Sequence, residues 1–188
     1  MKYNPDKHHR RSIRLKEYDY LSPGAYFITI CTHQRQCLFG EIVNGEMQLS
    51  EMGEIAESCW QAIPDHFARV QLDGFVVMPN HLHGIILIAD TCRGMALPCP
   101  YPKMQLEKRK FGQPIAGSLS TTVGSFKSAA TKQINTLRNA TGIPVWQRNY
   151  YENIVPNEES LHRLRQYIHN NPLSWQEDQL HPEVQSKW

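Results

Sequence analysis

Apolar residues recur along this chain at two periods. Gly24 to Thr32 is rich in aromatic and β-branched residues, and predicts a first core strand. Cys37-Leu38-Phe39 and Met47-Gln48-Leu49 flank Val43-Asn44-Gly45-Glu46, and an Asn-Gly pair between apolar segments predicts a small hairpin. Ser50 suits the cap of a helix whose stripe is Met52, Ile55, Ala56, Cys59, Trp60, Ile63 and Phe67, with Pro64 loosening its last turn. From about residue 70 to 89 two apolar strands are broken at Met78-Pro79-Asn80. A second amphipathic helix runs from about Ser118 to Asn139 on Leu119, Val123, Phe126, Ala130, Ile134 and Leu137. Val145 to Val155 is strand-like. Asn157 then caps a third helix with Glu158 and Glu159 in its first turn and a stripe of Leu161, Leu164 and Ile168. Asn170-Asn171-Pro172 stops it, because the residue before proline avoids helical geometry. Strand, hairpin, helix, two strands, helix, strand, helix predicts an α+β fold. The expected form is a ferredoxin-like sandwich, a mainly antiparallel sheet with helices packed on one face.

The remaining segments differ in character. Residues 1–22 read as a basic arm, 23–172 as the main domain and 173–188 as a tail without a clear period. Within the domain, 90–117 is a long loop rich in proline. The 188 residues, 40% hydrophobic, suit one compact domain. No apolar run is long enough to span a bilayer, and the start lacks the apolar stretch of a signal peptide, so no membrane partner and a cytoplasmic location are expected. Five cysteines without a Cys-x-x-Cys pair point to reduced thiols rather than a structural zinc site. A net charge of +2 announces no nucleic-acid partner. Its distribution says more: Lys7, Arg10, Arg11 and Arg14 cluster in the arm, and Lys103, Lys108, Arg109 and Lys110 in the loop. Such clusters suit phosphate contact, or simply a solvated surface.

The chemistry centres on Phe75 to Ala89. Side chains alternate faces along a strand, so His81 and His83 share one face while Leu82 takes the other. Two imidazoles one pleat apart can hold one divalent cation. The alternative is a pair of half-buried, hydrogen-bonded strand histidines. On the third helix Arg163, Tyr167 and Asn171 are four apart and share a face. Tyr167 lies at the edge of the apolar stripe, between helix and sheet, either as a reactive phenol or as an amphipathic anchor.

Val77-Met78-Pro79-Asn80-His81-Leu82-His83-Gly84, followed by Trp146-Gln147-Arg148-Asn149-Tyr150-Tyr151 and Tyr167-Ile168-His169-Asn170-Asn171-Pro172, resembles the single-tyrosine HUH transposases. The closer resemblance is to their REP-associated tyrosine transposase branch, and it runs from about Arg10 to Pro172. It implies His81, His83 and Asn171 as ligands of Mg²⁺ or Mn²⁺, and Tyr167 as the nucleophile that forms a 5′-phosphotyrosine. It also implies single-stranded or hairpin DNA, such as REP-like palindromes, as partner. Arg10, Arg11, Arg14, Lys108, Arg109, Lys110, Lys127, Arg148 and Arg163 are the expected DNA-binding cations. Arg163 or Lys127 could also assist the phenol. A nucleoid-associated monomer or homodimer is expected. Two rivals stay open: a binding module that uses the same sheet without cleavage, and a metal-dependent hydrolase that uses water.

Overall fold

The computed structural model describes residues 22–89 and 117–184. Arg10, Arg11, Arg14, Lys108, Arg109 and Lys110 lie outside the described residues. Strand β1 is Gly24–Cys31, β2 Gly40–Val43 and β3 Glu46–Leu49. Helix α1 spans Glu51–Gln61, and a short turn, α2, spans Ile63–His66. Strand β4 is Val70–Met78 and β5 His81–Ile88, followed by α3 Leu119–Leu137, β6 Tyr151–Val155 and α4 Glu158–Asn170.

Local chemistry sets these limits. Asn44 and Gly45 both take positive φ, 54° and 81°, as the tight β2–β3 turn requires. Ser50, Ser118 and Asn157 accept from the backbone N–H of Gly53, Thr121 and Ser160, so each caps its helix. The first helix is interrupted at Ala62, one residue before Ile63-Pro64, where proline fits the opening turn of α2. The strand-like stretch at 145–155 is regular only over β6; Trp146 makes an isolated bridge to Thr32.

The sheet order is β4-β5-β1-β6, with every neighbouring pair antiparallel. That is the ferredoxin-like order, with α1 and α3 in the crossovers. Tyr26, Ile28 and Ile30 of β1 and Leu82 and Ile86 of β5 are fully buried beneath Trp60, Val123, Phe126 and Ile134. A second cluster, Phe27, Ile85, Leu161 and Ile168, fills the opposite face. The helices therefore do not all pack on one face: α4 covers the second. The cause is visible in β1 and β5. Tyr26-Phe27-Ile28 and Ile85-Ile86-Leu87-Ile88 are apolar on both sides, and such strands need cover on both.

Two features position α4 and the strands beneath it. At Gly84 a Cβ would stand 2.3 Å from Trp60 Cζ2, so only glycine lets the indole lie against β5 beside His83. In β4 the register shifts between Leu72 and Phe75, a bulge. Asp73 in this bulge accepts from Arg165 Nε at 2.9 Å and Nη2 at 2.7 Å. This two-pronged pair ties α4 to the sheet two residues before Tyr167.

A candidate metal centre beneath a tyrosine

Register brings the histidines together. His81 pairs with Cys31, and His83 with Thr29. Both are buried, on the α4 face, with ring centroids 4.5 Å apart. Asn80 holds the first ring. Its Nδ2 donates to the carbonyls of Arg35 at 3.2 Å and Leu180 at 2.7 Å, so its Oδ1 is the acceptor facing His81 Nδ1 at 2.8 Å. The proton therefore sits on Nδ1, and His81 Nε2 carries a lone pair. Thr29 Oγ1 lies 2.8 Å from His83 Nδ1. His83 Nε2 meets the Tyr167 hydroxyl at 3.2 Å. With Nδ1 donating to Thr29, Nε2 accepts from the phenol.

Asn171, one turn past Tyr167, is buried and donates through Nδ2 to Asp178 Oδ2 at 3.3 Å. Asn171 Oδ1 and His81 Nε2 are both buried without a hydrogen-bond partner. Asp178 Oδ2 lies 4.0 Å from His81 Nε2, and one ligand atom each from His81, His83 and Asp178 falls within a 4.8 Å cluster. His81 Nε2 and Asn171 Oδ1 thus keep lone pairs that no donor meets. A divalent cation satisfies such a set, and its mix of imidazole nitrogen and neutral or anionic oxygen suits Mn²⁺ or Mg²⁺. Protonation agrees. Burial holds His81 down to about 3, with the Asn171 amide opposing and the Arg35 charge reinforcing. Burial, reinforced by His81 and opposed by Asp178, holds His83 well below the usual imidazole value. Both rings are thus neutral at pH 7 and able to ligate.

Tyr167 is 45% exposed, with its ring edge-on to Phe27 and His83 at centroid distances of 6.0 and 5.2 Å. Burial, with the Asp178 charge, raises its phenol pKa, while Asn171 opposes. The resting phenol is therefore protonated.

The other expected residues are dispersed. Arg163 pairs with Glu159 at 3.1 Å and Ser160 at 3.2 Å on the exposed side of α4. Lys127 Nζ donates to the carbonyls of Gln147, Arg148 and Asn149 at 2.5, 3.2 and 3.4 Å. Burial lowers its pKa, opposed by Cys31. Neither cation bonds to the Tyr167 hydroxyl, whose partner is His83. Lys127 and Arg148 line an open groove of about 500 Å³ between α3 and residues 144–148. Tyr150 packs against the main core, whereas Tyr151 is 60% exposed and stands opposite Thr29, in the His83 row on the α4 face.

Sequence reasoning missed Thr29, Asn80 as a ring support, and Asp178. Asn80 lies inside the motif but carries no periodic signal. Asp178 follows a proline and a short 3₁₀ turn, Pro172–Glu177, so no helical spacing connects it to Asn171. Trp175, an isolated large apolar residue in a polar tail, was the available sign that this segment folds back.

The fold is similar to that of a solved REP-associated tyrosine transposase. A solved structure of such a protein bound to a REP hairpin superposes with a TM-score of 0.54 at 14% identity, covering 86% of this chain and 74% of that one. The chain belongs to one family with an uncharacterized protein of Haemophilus influenzae, to which it is 47% identical over 181 residues, 96% of this chain and 97% of the relative. No protein-family model matches.

Proposed function

We propose that the protein is a single-tyrosine HUH endonuclease and DNA strand transferase that cleaves and rejoins single-stranded or hairpin DNA. The observation that carries this reading is the Tyr167 hydroxyl, 3.2 Å from His83 Nε2, beside the unpartnered acceptors His81 Nε2 and Asn171 Oδ1. A nucleophile and a cation site meet where one phosphate could touch both. The Tyr167 oxygen forms a bond to phosphorus and the bond to the 3′ oxygen breaks. The proton given up by the phenol balances the one taken up by that oxygen. The product is a 5′-phosphotyrosine with a free 3′-OH, and attack by a 3′-OH reverses the step and joins strands. A bound Mg²⁺ or Mn²⁺, held by His81, His83 and Asn171, would supply Lewis-acid polarisation of the scissile phosphate. Asn80 and Thr29 orient the two rings, and the Asp73–Arg165 pair fixes α4 so that Tyr167 projects over them.

DNA as the partner rests on this chemistry together with the hairpin held by the solved structural neighbour. The arm at Arg10, Arg11 and Arg14, the loop at Lys108, Arg109 and Lys110, and Lys127, Arg148 and Arg163 are the proposed phosphate contacts. Such a protein would work at the nucleoid in the cytoplasm, as monomer or homodimer. Among the described residues no helix is long and apolar enough to cross a membrane.

A denaturing gel with Mn²⁺ and a hairpin oligonucleotide tests the reading. The wild-type protein should form a covalent protein–DNA adduct. Tyr167→Phe should form none and cut no strand, while its stability stays within about 0.5 kcal/mol of wild type. Excess Mn²⁺ should restore part of the cleavage lost in His81→Ala and none of that lost in Tyr167→Phe. Cut ends without an adduct would favour the water-using hydrolase. Neither product would favour a binding module.

A further inference from the structure

Building on the cation site proposed above, we infer that Asp178 is a further cation ligand delivered by the C-terminal segment 172–181. Cation uptake and the seating of that segment are then one coupled equilibrium. Asp178 faces inward. Its Oδ1 accepts from Leu180 N at 2.6 Å, which leaves Oδ2 turned toward Asn171 and His81. Its side chain is 7% exposed. The 4.0 Å from Oδ2 to His81 Nε2 is beyond hydrogen-bond range. It is within the roughly 3–4.5 Å that two ligands of one cation span, given ligand distances of about 2.0–2.6 Å. Asp178 is also the carboxylate of the cluster that the described residues form with His81 and His83. The imidazoles and the Asn171 amide are neutral donors. The Asp178 charge would therefore supply most of the Coulomb attraction for a hard divalent ion.

Side chains of the rest of the fold hold the segment that brings Asp178. Trp175 is buried, 6.0 Å from the His81 ring and 4.7 Å from the His181 ring. Arg35 Nη1 donates to the Gln179 carbonyl at 3.3 Å. Asn80 Nδ2 donates to the Leu180 carbonyl at 2.7 Å, while the same side chain accepts from His81. One buried amide thus joins the seat of the segment to the orientation of a ligand ring. Segment 172–181 also follows directly on the helix that carries Tyr167. A cation bound through Asp178 would pin the end of that helix, and loss of the cation would loosen it. Linkage makes the coupling reciprocal: anything that unseats the segment must weaken the cation, whether or not it touches it.

Calorimetry with MnCl₂ and hydrogen exchange over residues 172–184 of the full chain test this without reference to DNA cleavage. Mn²⁺ should slow exchange in this segment of the wild-type protein. Asp178→Asn should weaken Mn²⁺ by about tenfold or more and abolish the Mn²⁺-dependent slowing. Trp175→Ala removes no ligand atom, yet it should weaken Mn²⁺ severalfold while circular dichroism shows a folded sheet. If the wild type binds Mn²⁺ but its tail exchanges at the same rate, or Asp178→Asn binds Mn²⁺ as the wild type does, the coupling is wrong and the transposase reading stands. If the wild type binds no Mn²⁺, coupling and cation site both fall.

Discussion

Strands β1 and β5 serve two different faces with alternate residues. On one, Tyr26, Ile28, Ile30, Leu82 and Ile86 pack under α1 and α3. On the other, Phe27 and Ile85 pack under α4 beside Thr29, His81 and His83. Both faces bury polar atoms, and the first also carries the Glu152 carboxylate, opposite Ile28. The first holds the indole N–H donors of Trp60 and Trp146. The second holds the acceptors His81 Nε2 and Asn171 Oδ1, and there His81, His83 and Asp178 gather around one point. Unpaired donors inside an apolar layer are a local cost of using tryptophan for its bulk. Buried acceptors gathered in this way are what the proposed cation site requires. Each orphaned acceptor costs about 1–3 kcal/mol. Each large apolar side chain buried on the first face contributes about 1.5–3 kcal/mol. The burial on the first face can therefore offset the cost on the second, and the two should respond differently to substitution.

The largest contrast comes from Trp60, fully buried against Gly84 and edge-on to Phe126. Trp60→Ala should cost about 3–5 kcal/mol in urea unfolding, by the cavity it leaves. A loss below about 1 kcal/mol would mean that the α1–α3 face is not the source of rigidity. Thr29→Val keeps the shape of a site-face residue and removes its bond to His83 Nδ1. It should cost only about 1 kcal/mol of stability, but about tenfold in Mn²⁺ affinity, because the ring loses its orientation. Unchanged affinity would show that packing against Phe27, not Thr29, orients His83. The smallest effect is confined to acid. The bond to Arg165 holds the Asp73 carboxyl below its usual range, with burial opposing. A depressed folded pKa contributes stability that is fully present above the unfolded value, about 3.9, and is lost as pH falls through the folded one. Asp73→Asn should lower stability at neutral pH and flatten this acid limb. An acid limb as steep as in wild type would assign it to other carboxylates.

Much of the molecule was legible from local rules. The Asn44-Gly45 turn and the Ser50, Ser118 and Asn157 caps each depend on a few consecutive residues and appear where the pattern places them, and the helix stripes do so except at Leu137, which is exposed at the end of α3, and at Ala62, where the first helix breaks. The common face of His81 and His83 follows from strand alternation, and the four-residue step from Tyr167 to Asn171 from helical pitch. Pro172 illustrates the limit. It ends α4, as the sequence implies, but the chain turns directly into a 3₁₀ helix instead of leaving the fold, because proline suits the first position of a new turn.

What lay beyond the sequence depends on contacts between distant segments. The sequence offers Lys127 as a DNA-binding cation, but only the fold brings its ammonium to three carbonyls of residues 147–149. Apolar runs on both sides of β1 and β5 call for two covers, but which helix crosses to the second face depends on where β6 ends and where Asp73 waits for Arg165. By itself the sequence determined the elements, the histidine pair and the tyrosine one turn from an amide, because periodicity and capping act over a few residues. Only the tertiary structure decided that the phenol meets His83, and that Asp178, 95 residues beyond it in the chain, closes the same cluster. Those meetings are set by sheet register and by the buried anchors Asn80 and Trp175, which no local period encodes.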